Sequence, residues 1–377
     1  MKRKHLLTAA VFLALIFGLS LVNLLTPDRA FSEMENKYLQ QRPKLTLERL
    51  FNGKFTAEAE KYVTDQFPGR DAFIGVKTQS EYLLGKRDTN GVYFAKDGYL
   101  IEKHPVLDPQ AEKNIPRLTA FVNEAAEELG AEHVRVLIAP TAGELLRDKL
   151  PAYAPEFSQE ALFEQIRREI PQECWVELLP AFREAAARGD QLYYRTDHHW
   201  TTQGAYLAYV QWCRSLGLEP ETDFEVRAVS DAFYGTIYSK ARLSDTQPDT
   251  IHAYFPQEPR DYRLEFDLGK EGLEGLYDER YLSKKDKYSY FLGGNHAVTV
   301  ITGPEKNGKT LLLVKDSYAH SIAPFLADEY EQVILLDLRY YNGSLKSFRE
   351  EHPATDIMVL YNAVTFCEDV GVLKMTS

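Results

Sequence analysis

A series of short apolar segments, separated by helical and irregular stretches, constrains the fold of this chain more than any other feature. The segments are Val134–Ala139, Val298–Thr302, Thr310–Val314, Val333–Leu338 and Asp356–Tyr361. Most are β-branched or leucine-rich and are bounded by turns or helices, as expected for strands that are covered on both faces. Strands that alternate with helices favour an α/β fold with a doubly wound, mostly parallel sheet.

The first thirty residues predict a membrane anchor. Residues 6–25 carry no charge, and twenty residues at helical rise can cross the hydrocarbon core of a bilayer. Basic residues at 2–4 precede this stretch, and Leu24–Arg29 contains no A-x-A-like cleavage site. We therefore expect a cytoplasmic tail at 1–5, an uncleaved transmembrane signal anchor at 6–25 and an exported body. A cleaved signal peptide is the alternative.

The rest of the chain divides into a membrane-proximal part and a larger domain. Residues 26–90 are charged and helical in pattern, and are expected to form a stalk next to the membrane. Residues 91–101 have the pattern of a β-hairpin closed by Asp97-Gly98, and they open a domain that runs from 91 to 377. Within this domain, residues 217–297 are irregular and rich in Tyr, Asp and Lys. We expect them to form a large insertion over one edge of the sheet.

Composition excludes some classes of function. The net charge of −12 and the isoelectric point near 5.4 argue against binding to nucleic acid, because no basic track is present. Cys174, Cys213 and Cys367 are too few and too scattered for a disulfide framework, and they show no metal-binding spacing. They are expected to be small buried hydrophobes, although one bridge could form. No cofactor and no metal are expected.

The segment Tyr193–Gly204 brings an acid and a base close together. Asp197 and His199 are two residues apart in a predicted extended turn, so their side chains lie on the same side. The carboxylate can then accept from one imidazole nitrogen, fix the tautomer and leave the other nitrogen free as a base. His198 should point the other way. The alternative is a structural role for this pair at the start of the following helix.

Ser317 lies where an apolar segment meets a helical one. The predicted strand Thr310–Val314 runs into Asp316 and Ser317, and a helical pattern follows over Ala319–Tyr330. At such a position the unpaired N–H groups and the dipole of a helix can stabilise a developing oxyanion. In open α/β sheets this edge is where ligands bind. A plain helix N-cap is the alternative interpretation of the serine.

Together the two segments supply the parts of a nucleophilic site. A serine needs an oriented base to act as a nucleophile near neutral pH, and Asp197 with His199 can provide it. A metal site is the weaker alternative, because the adjacent histidines face apart and no third ligand cluster stands out among the nine histidines.

The segment Asp197-His198-His199-Trp200 resembles the signature of the bacterial DHHW protein family. It is also similar to the Thr-Asp-x-His-Trp segment of SGNH-superfamily proteins that O-acetylate alginate and related exopolysaccharides. Further segments carry the resemblance in family order over most of the exported part. These are Phe31-Ser32-Glu33 with Glu35-Asn36, Asp65–Arg70, Gly91-Val92-Tyr93 and Lys315-Asp316-Ser317-Tyr318. As in those proteins, the Asp-x-His precedes the serine, which is the reverse of ordinary GDSL esterases.

The resemblance implies an SGNH-hydrolase-like fold with Ser317 as nucleophile, His199 as base and Asp197 as the residue that orients the base. It implies an extracytoplasmic O-acetyltransferase that modifies an exported polysaccharide through an acetyl-serine intermediate. It also implies a polytopic membrane-bound O-acyltransferase as partner and source of the acetyl group. A polysaccharide acetyl esterase and a non-catalytic subunit of an export complex are the alternatives.

The chain departs from the family pattern around the oxyanion hole. Lys315 stands where those proteins usually have a glycine before Asp-Ser, and no clear match exists to their separate glycine and asparagine blocks. Gly293-Gly294-Asn295 is the best local candidate for a donor, and the backbone N–H groups of Ser317 and Tyr318 are alternatives. Residues after predicted strand ends that could line the groove are Thr141, Arg339 and Tyr340.

Overall fold

A computed structural model describes residues 2–32 and 37–376 of the 377-residue chain. Its helices are α1 Lys2–Leu25, α2 Leu47–Phe51, α3 Lys54–Asp65, α4 Arg70–Leu83, α5 Ala111–Leu129, α6 Ala142–Leu145, α7 Gln159–Glu169, α8 Leu179–Ala187, α9 Thr202–Ser215, α10 Thr236–Ala241, α11 Ala319–Leu326, α12 Leu345–Glu351 and α13 Ala363–Glu368. Its strands are β1 Phe31–Ser32, β2 Lys37–Tyr38, β3 Asp88–Thr89, β4 Val92–Phe94, β5 Leu100–Glu102, β6 Val134–Ala139, β7 Phe224–Phe233, β8 Asp249–Pro256, β9 Arg263–Phe266, β10 Lys270–Glu274, β11 Val298–Thr302, β12 Thr310–Lys315, β13 Gln332–Leu336 and β14 Asp356–Asn362. Glu33, Glu35 and Asn36 of the family-like segment lie outside the described residues.

The chain divides into two compact units. The first comprises residues 1–89 with 239–245, and the second comprises 90–238 with 246–377. In the first unit, the apolar stretch of α1 is long enough to cross a membrane by length and composition. The helices α2, α3 and α4 follow, and the break between α3 and α4 contains Pro68 and Gly69, where φ is 70°. Glycine adopts this left-handed conformation without a steric penalty, which explains the break.

The second unit is built on a central sheet with the strand order β10-β9-β11-β13-β12-β14-β6. The pairs β13–β12, β12–β14 and β14–β6 are parallel, whereas β10–β9, β9–β11 and β11–β13 are antiparallel. The α/β class is therefore as expected, but the sheet is mixed and not mostly parallel. Only three residues separate β9 from β10, and a parallel pairing needs a crossover of a dozen or more.

Two hydrophobic clusters cover the two faces of this sheet. Along β12, Leu311 and Leu313 belong to one cluster, and Leu312 and Val314 belong to the other. Successive strand residues point to opposite faces, so a strand that is covered on both sides must be apolar at each position. Because the strands are buried on both faces, most of their residues are apolar in the sequence.

Residues 217–297, expected to form an insertion, contain four strands. The strands β7 and β8 pair with each other as a long antiparallel hairpin. The strands β9 and β10 instead extend the central sheet at its antiparallel edge. Two further parts of this region, the start of α10 and a short helix at 288–290, contribute side chains to the site described below.

The parallel strands all end at the same edge of the sheet. Asp316 follows β12, Asp337 follows β13, Asn362 ends β14 and Pro140 follows β6. Because carboxyl ends of parallel strands meet there, this edge gathers polar residues from distant parts of the chain. The candidate site lies at this edge.

Candidate active site

Ser317 lies in the tight turn between β12 and α11. The residue is buried and keeps 8% of its accessible surface. The preceding Asp316 fixes the turn, because its carboxylate accepts from the backbone N–H of Tyr318 at 2.9 Å. The other oxygen of Asp316 accepts from the backbone N–H and the side-chain amide of Asn362, each at 2.8 Å. The serine is thus presented from a turn that is hydrogen-bonded to the neighbouring strand β14.

The loop that carries Asp197 and His199 is held at both ends. Upstream, the carboxylate of Asp249 accepts from the N–H groups of Arg195 and Thr196 at 2.9 and 2.8 Å. Downstream, Trp200 is fully buried, and its Nε1 donates to the carbonyl of Tyr318 at 3.1 Å and to Ser321 Oγ at 2.9 Å. The tryptophan therefore fastens the loop to the first turn of α11, beside the serine.

These contacts bring the acid, the base and the hydroxyl into one hydrogen-bonded line. His199 Nδ1 lies 2.5 Å from Asp197 Oδ1, and His199 Nε2 lies 2.7 Å from Ser317 Oγ. The remaining oxygen of Asp197 accepts from the N–H and the hydroxyl of Thr236 at 2.7 and 3.1 Å. The distance of 2.7 Å between His199 Nε2 and Ser317 Oγ is within the range in which a base can take a proton from a hydroxyl.

The charge states of this line follow from its surroundings. Burial and, next, the charge of His198 lower the pKa of His199 to about 4, although Asp197 opposes both. Burial alone would raise the pKa of Asp197, but the two histidines and the hydrogen bonds from His199 and Thr236 outweigh it and lower that pKa. At neutral pH the pair is therefore a carboxylate and a neutral imidazole. A neutral imidazole that donates from Nδ1 to Asp197 leaves Nε2 free to accept from Ser317.

Aromatic rings hold the base in place. The ring of Tyr288 stacks on His199 with 3.7 Å between centroids and 12° between planes. The hydroxyl of Tyr288 also donates to the carbonyl of Ser317 at 3.2 Å. The ring of His198 lies 3.9 Å from that of His199, tilted by 38°. Tyr288 therefore touches both the base and the residue that the base faces.

A buried ionic cluster lies beside the serine turn. Lys315 is almost fully buried, and its ammonium group lies 3.0 Å from Asp337 and 2.8 Å from His320 Nε2. Asp337 also accepts from Arg339 Nε at 2.8 Å and from an Arg339 terminal nitrogen at 2.6 Å. Burial lowers the pKa of Lys315 and of His320, and Asp337 opposes this for the lysine. The lysine that replaces the family glycine is thus paired with a carboxylate and not exposed to the groove.

The backbone N–H and the hydroxyl of Tyr318 already take part in hydrogen bonds within the protein. The N–H donates to Asp316, and the hydroxyl donates to the carbonyl of His198 at 2.5 Å. For the backbone N–H of Ser317, no hydrogen bond occurs within residues 2–32 and 37–376. The sequence offered the backbone N–H groups of Ser317 and Tyr318 as oxyanion donors. Of these two groups, only the N–H of Ser317 is free in the described part of the chain.

The other predicted groove residues differ in how they relate to the serine. Arg339 is a partly exposed cation whose charge lowers the pKa of His199, so it acts electrostatically on the site. Its guanidinium lies over the ring of Tyr340, which is itself exposed. Asn295 is exposed, and Thr141 is held by the side-chain amide of Gln159. In the described part of the chain, no hydrogen bond joins Asn295 or Thr141 to the acid, the base or the serine.

Sequence reasoning missed several residues that shape the site. Thr236 and Tyr288 come from the region expected to be an insertion, and neither stands in a recognisable motif. Asp249 holds the loop from the start of β8. Asn362 follows a predicted strand, in the same way as the residues proposed for the groove. Its position after that strand was the one signal that could have identified it.

The acid and the two histidines also satisfy a geometric test for a metal site. Asp197, His198 and His199 offer ligand atoms within 4.8 Å of one another. However, both ring nitrogens of His199 and both oxygens of Asp197 already take part in protein hydrogen bonds. His198 Nδ1 lies 2.8 Å from the hydroxyl of Thr236. A metal would have to displace these contacts.

Comparison with known proteins places this chain in a family. A model of the DHHW protein family matches residues 118–336, which is more than half of the chain. A probable alginate O-acetylase AlgJ of Pseudomonas syringae pv. tomato is 27% identical over 195 residues, 49% of this chain and 50% of the relative. A probable alginate O-acetylase AlgJ of Pseudomonas fluorescens is 23% identical over 174 residues, 44% of each chain. The chain spans about half the length of the curated relatives it matches.

Solved structures share the fold. A DHHW family protein from Eubacterium siraeum superimposes with a TM-score of 0.62 at 23% identity, covering 77% of this chain and 96% of that one. Bacillus cereus PatB1 superimposes with a TM-score of 0.62 at 18% identity, covering 74% of this chain and 98% of that one. These likenesses establish a common α/β architecture. The chain belongs to the DHHW protein family.

Proposed function

We propose that this chain is an extracytoplasmic O-acetyltransferase that acts on an exported polysaccharide through an acetyl-Ser317 intermediate. The observation that carries the proposal is the hydrogen-bonded line from Asp197 through His199 to Ser317, with 2.5 and 2.7 Å between its members. The names of the AlgJ relatives, which describe alginate O-acetylases, support the acyl-transfer reaction and a polysaccharide as acceptor.

In the first half of the reaction, Ser317 takes the acetyl group. His199 Nε2 accepts the hydroxyl proton while Ser317 Oγ attacks the acetyl carbonyl carbon, giving a tetrahedral intermediate. The intermediate collapses when the bond to the leaving group breaks, and His199 returns its proton to that group. An ester of Ser317 remains, and His199 is neutral again.

In the second half, a sugar hydroxyl takes the acetyl group. His199 Nε2 removes the proton of this hydroxyl, whose oxygen attacks the acetyl-serine carbonyl. When the second tetrahedral intermediate collapses, Ser317 Oγ leaves and regains a proton from His199. If water attacks in place of the sugar, the products are acetate and the free serine, and the chain acts as an esterase.

The negative oxygen of both intermediates needs hydrogen-bond donors or a nearby cation. The free N–H of Ser317 is the donor that the geometry supports best, because it lies ahead of the first turn of α11. Arg339 supplies the nearby positive charge, and its pairing with Asp337 holds it in place. We assign a supporting electrostatic role to Arg339.

The location and the partner belong to the same proposal. The apolar helix α1 with its preceding basic residues supports a single-pass anchor, a cytoplasmic N-terminus and an exported catalytic unit. We further propose an SGNH-hydrolase-like core at 91–377 behind a stalk at 26–90, with residues 217–297 as an elaboration of the core. A polytopic membrane-bound acyltransferase is the proposed source of the acetyl group.

Mass spectrometry after incubation with an activated acetyl ester tests the proposal. We expect the intact protein to gain the mass of one acetyl group, and the Ser317→Ala variant to gain none. The same gain in both proteins would remove Ser317 from the mechanism. Loading should be unchanged by a chelator, since none of the steps uses the metal-like spacing of Asp197, His198 and His199.

A second measurement separates transfer from hydrolysis. Release of acetate is followed with and without an oligosaccharide acceptor. A transferase forms acetylated oligosaccharide and releases less acetate per ester consumed, whereas an esterase releases acetate at the same rate in both cases. A non-catalytic subunit of an export complex is indicated if neither product forms and the Ser317→Ala variant still supports acetylation of the polymer in cells.

A further inference from the structure

The helices between the membrane anchor and the catalytic unit expose an unusual amount of apolar surface. The side chains of Leu84, Phe51, Leu47 and Leu83 are 87%, 85%, 75% and 75% exposed. In the described part of residues 2–89, Leu39 is the one apolar side chain that is buried. Surfaces of this kind on an otherwise globular protein usually mark an interaction site.

The exposed side chains are arranged along single helix faces. On α4, Phe73 and Val76 are three residues apart, and Leu83 and Leu84 follow two turns later on the same side. On α2, Leu47 lies three and four residues before Leu50 and Phe51. Such spacing gives amphipathic helices, and their apolar faces are exposed.

The charge of this segment differs from that of the rest of the chain. Residues 42–87 contain nine basic and six acidic side chains, although the whole chain has a net charge of −12. A basic amphipathic segment in an acidic protein fits a negatively charged surface.

Hydrogen bonds fix the segment close to the end of the membrane helix. The hydroxyl of Tyr62, on α3, donates to Asp28 at 2.7 Å. The side chain of Gln66 accepts from the N–H of Arg29 and donates to its carbonyl, both at 2.9 Å. The carboxyl end of α3 is therefore bound to residues that lie only three and four positions after Leu25, the last residue of α1.

We propose that α2 and α4 lie on the membrane surface, with their apolar faces at the boundary between headgroups and acyl chains and their basic side chains against anionic phospholipid. The occupant of the exposed face is thus the bilayer in which α1 is anchored, because the residues that directly follow α1 are hydrogen-bonded to α3 and to its C-cap. This inference rests on the proposed anchor and is independent of the acetyl chemistry. Interfacial helices of this composition bind through buried apolar area together with attraction to anionic lipid.

The test uses the full-length chain in vesicles of phosphatidylglycerol and phosphatidylcholine. The three native cysteines are buried, so an environment-sensitive fluorophore can be attached to single introduced cysteines. Two variants, Phe51→Cys and Leu84→Cys, place the label on the proposed membrane face. A third variant, Glu60→Cys, is the matched control at an exposed acidic position of α3. Lipids brominated on the acyl chains act as quenchers, and insertion of α1 is verified by resistance to alkaline carbonate.

We expect bromolipid to quench the labels at positions 51 and 84 several-fold more strongly than the label at position 60. The difference should shrink in vesicles of phosphatidylcholine alone and at high salt, which screens the attraction. An inserted protein whose three labels are quenched equally would overturn the inference. So would labels that are shielded from both aqueous iodide and bromolipid, because a second copy or another protein would then cover the face.

The acetyl chemistry is tested separately in the same vesicles. The Ser317→Ala substitution, made in each labelled variant, should abolish acetyl loading and leave quenching unchanged. Extraction of the chain by carbonate would contradict both the anchor and the membrane-lying helices. It would leave the proposed reaction standing.

Discussion

At the residue scale, the proposed mechanism requires Asp197 to determine which nitrogen of His199 carries the proton. Its carboxylate accepts from His199 and from both donors of Thr236, so the acid cannot rotate away. In Asp197→Asn the amide can donate to Nδ1, which would leave the proton on Nε2, facing Ser317. We expect kcat for an acetyl ester to fall on the order of 10³–10⁴-fold. The exposed Asp223→Asn is the control, and equal activities for both variants would show that Asp197 does not orient the base.

Gly235 is required by the close approach of Asp197. A Cβ at position 235 would lie 2.2 Å from the Cβ of Asp197 and 2.3 Å from its Oδ2, closer than real atoms pack. We therefore expect Gly235→Ala to displace the acid and lower kcat by at least about tenfold, since small misplacements at a catalytic site are costly. Gly75→Ala is the matched control, because its Cβ would lie at an ordinary 3.7 Å from a carbonyl oxygen. Full activity in Gly235→Ala would mean that the carboxylate tolerates the shift.

The lowered pKa of His199 predicts an unusual pH profile. The base works only when it is neutral, and burial together with His198 lowers its pKa to about 4. Activity should therefore stay constant from neutral pH down to about 5 and fall as the pH drops through about 4. His198→Gln removes a like charge, so the pKa of His199 rises and the acid limb of kcat/KM moves to higher pH. An acid limb near the ordinary histidine value in the unaltered chain would contradict this account.

Sequence reasoning at this scale was effective for residues whose spacing has a chemical meaning. Asp197 and His199, two residues apart, and Ser317, between a strand and a helix, meet in the structure as the pattern predicts. Asn295 and Tyr318 were chosen by position alone. Asn295 is exposed, and the backbone N–H of Tyr318 already donates to Asp316. Which backbone donors remain free depends on tertiary hydrogen bonds that no local pattern encodes.

At the element scale, the end of β14 supports the turn that presents the serine. Asn362 donates to Asp316 through its side chain and caps α13 by accepting from the N–H groups of Val364 and Thr365. We expect Asn362→Ala to lower the free energy of unfolding by about 2 kcal/mol and to reduce kcat, because a buried carboxylate loses a donor and a helix loses its cap. Urea unfolding and ester kinetics measure the two effects.

A second helix cap provides the control for this prediction. Ser344, which lies outside the serine turn at 316–318, caps α12 by accepting from the N–H of Ser347 at 3.2 Å. Ser344→Ala should cost about 1 kcal/mol of stability with unchanged kcat. If Asn362→Ala loses stability but keeps full activity, the serine turn holds its shape without the side-chain amide of Asn362.

The strands from β11 to β6 in the sheet order were predictable from sequence, and the strands β9 and β10 at its antiparallel end were not. The bounds of Val134–Ala139 and Val298–Thr302 agree with the structure, because strands that are buried on both faces are apolar at most positions. The strands β9 and β10 at the antiparallel end have the sequences Arg-Leu-Glu-Phe and Lys-Glu-Gly-Leu-Glu. Arg263, Lys270 and Glu274 are exposed, so the two segments lack the continuous apolar pattern of a strand that is buried on both faces. The antiparallel pairing of β9 with β11 depends on contacts distant in sequence, and it contributes to a mixed sheet where a mostly parallel one was expected.

At the scale of the whole molecule, the proposed reaction depends on which side of the membrane the catalytic unit occupies. The site residues all belong to the unit formed by 90–238 and 246–377, and the apolar helix belongs to the other unit. The acceptor in the proposal is an exported polymer. An active site on the cytoplasmic side would never meet it, so topology is a condition of the function.

The basic residues before α1 predict this topology. Lys2, Arg3 and Lys4 precede the apolar stretch, and positive charge is retained on the cytoplasmic side during insertion. A carboxyl-terminal alkaline phosphatase fusion, which is active only after export, should therefore be active, and the corresponding green fluorescent protein fusion should be dark. Replacing all three residues by glutamate removes the retained charge and should lower phosphatase activity at equal expression. A fluorescent, phosphatase-inactive fusion of the unaltered chain would put the catalytic unit in the cytoplasm, away from any exported acceptor.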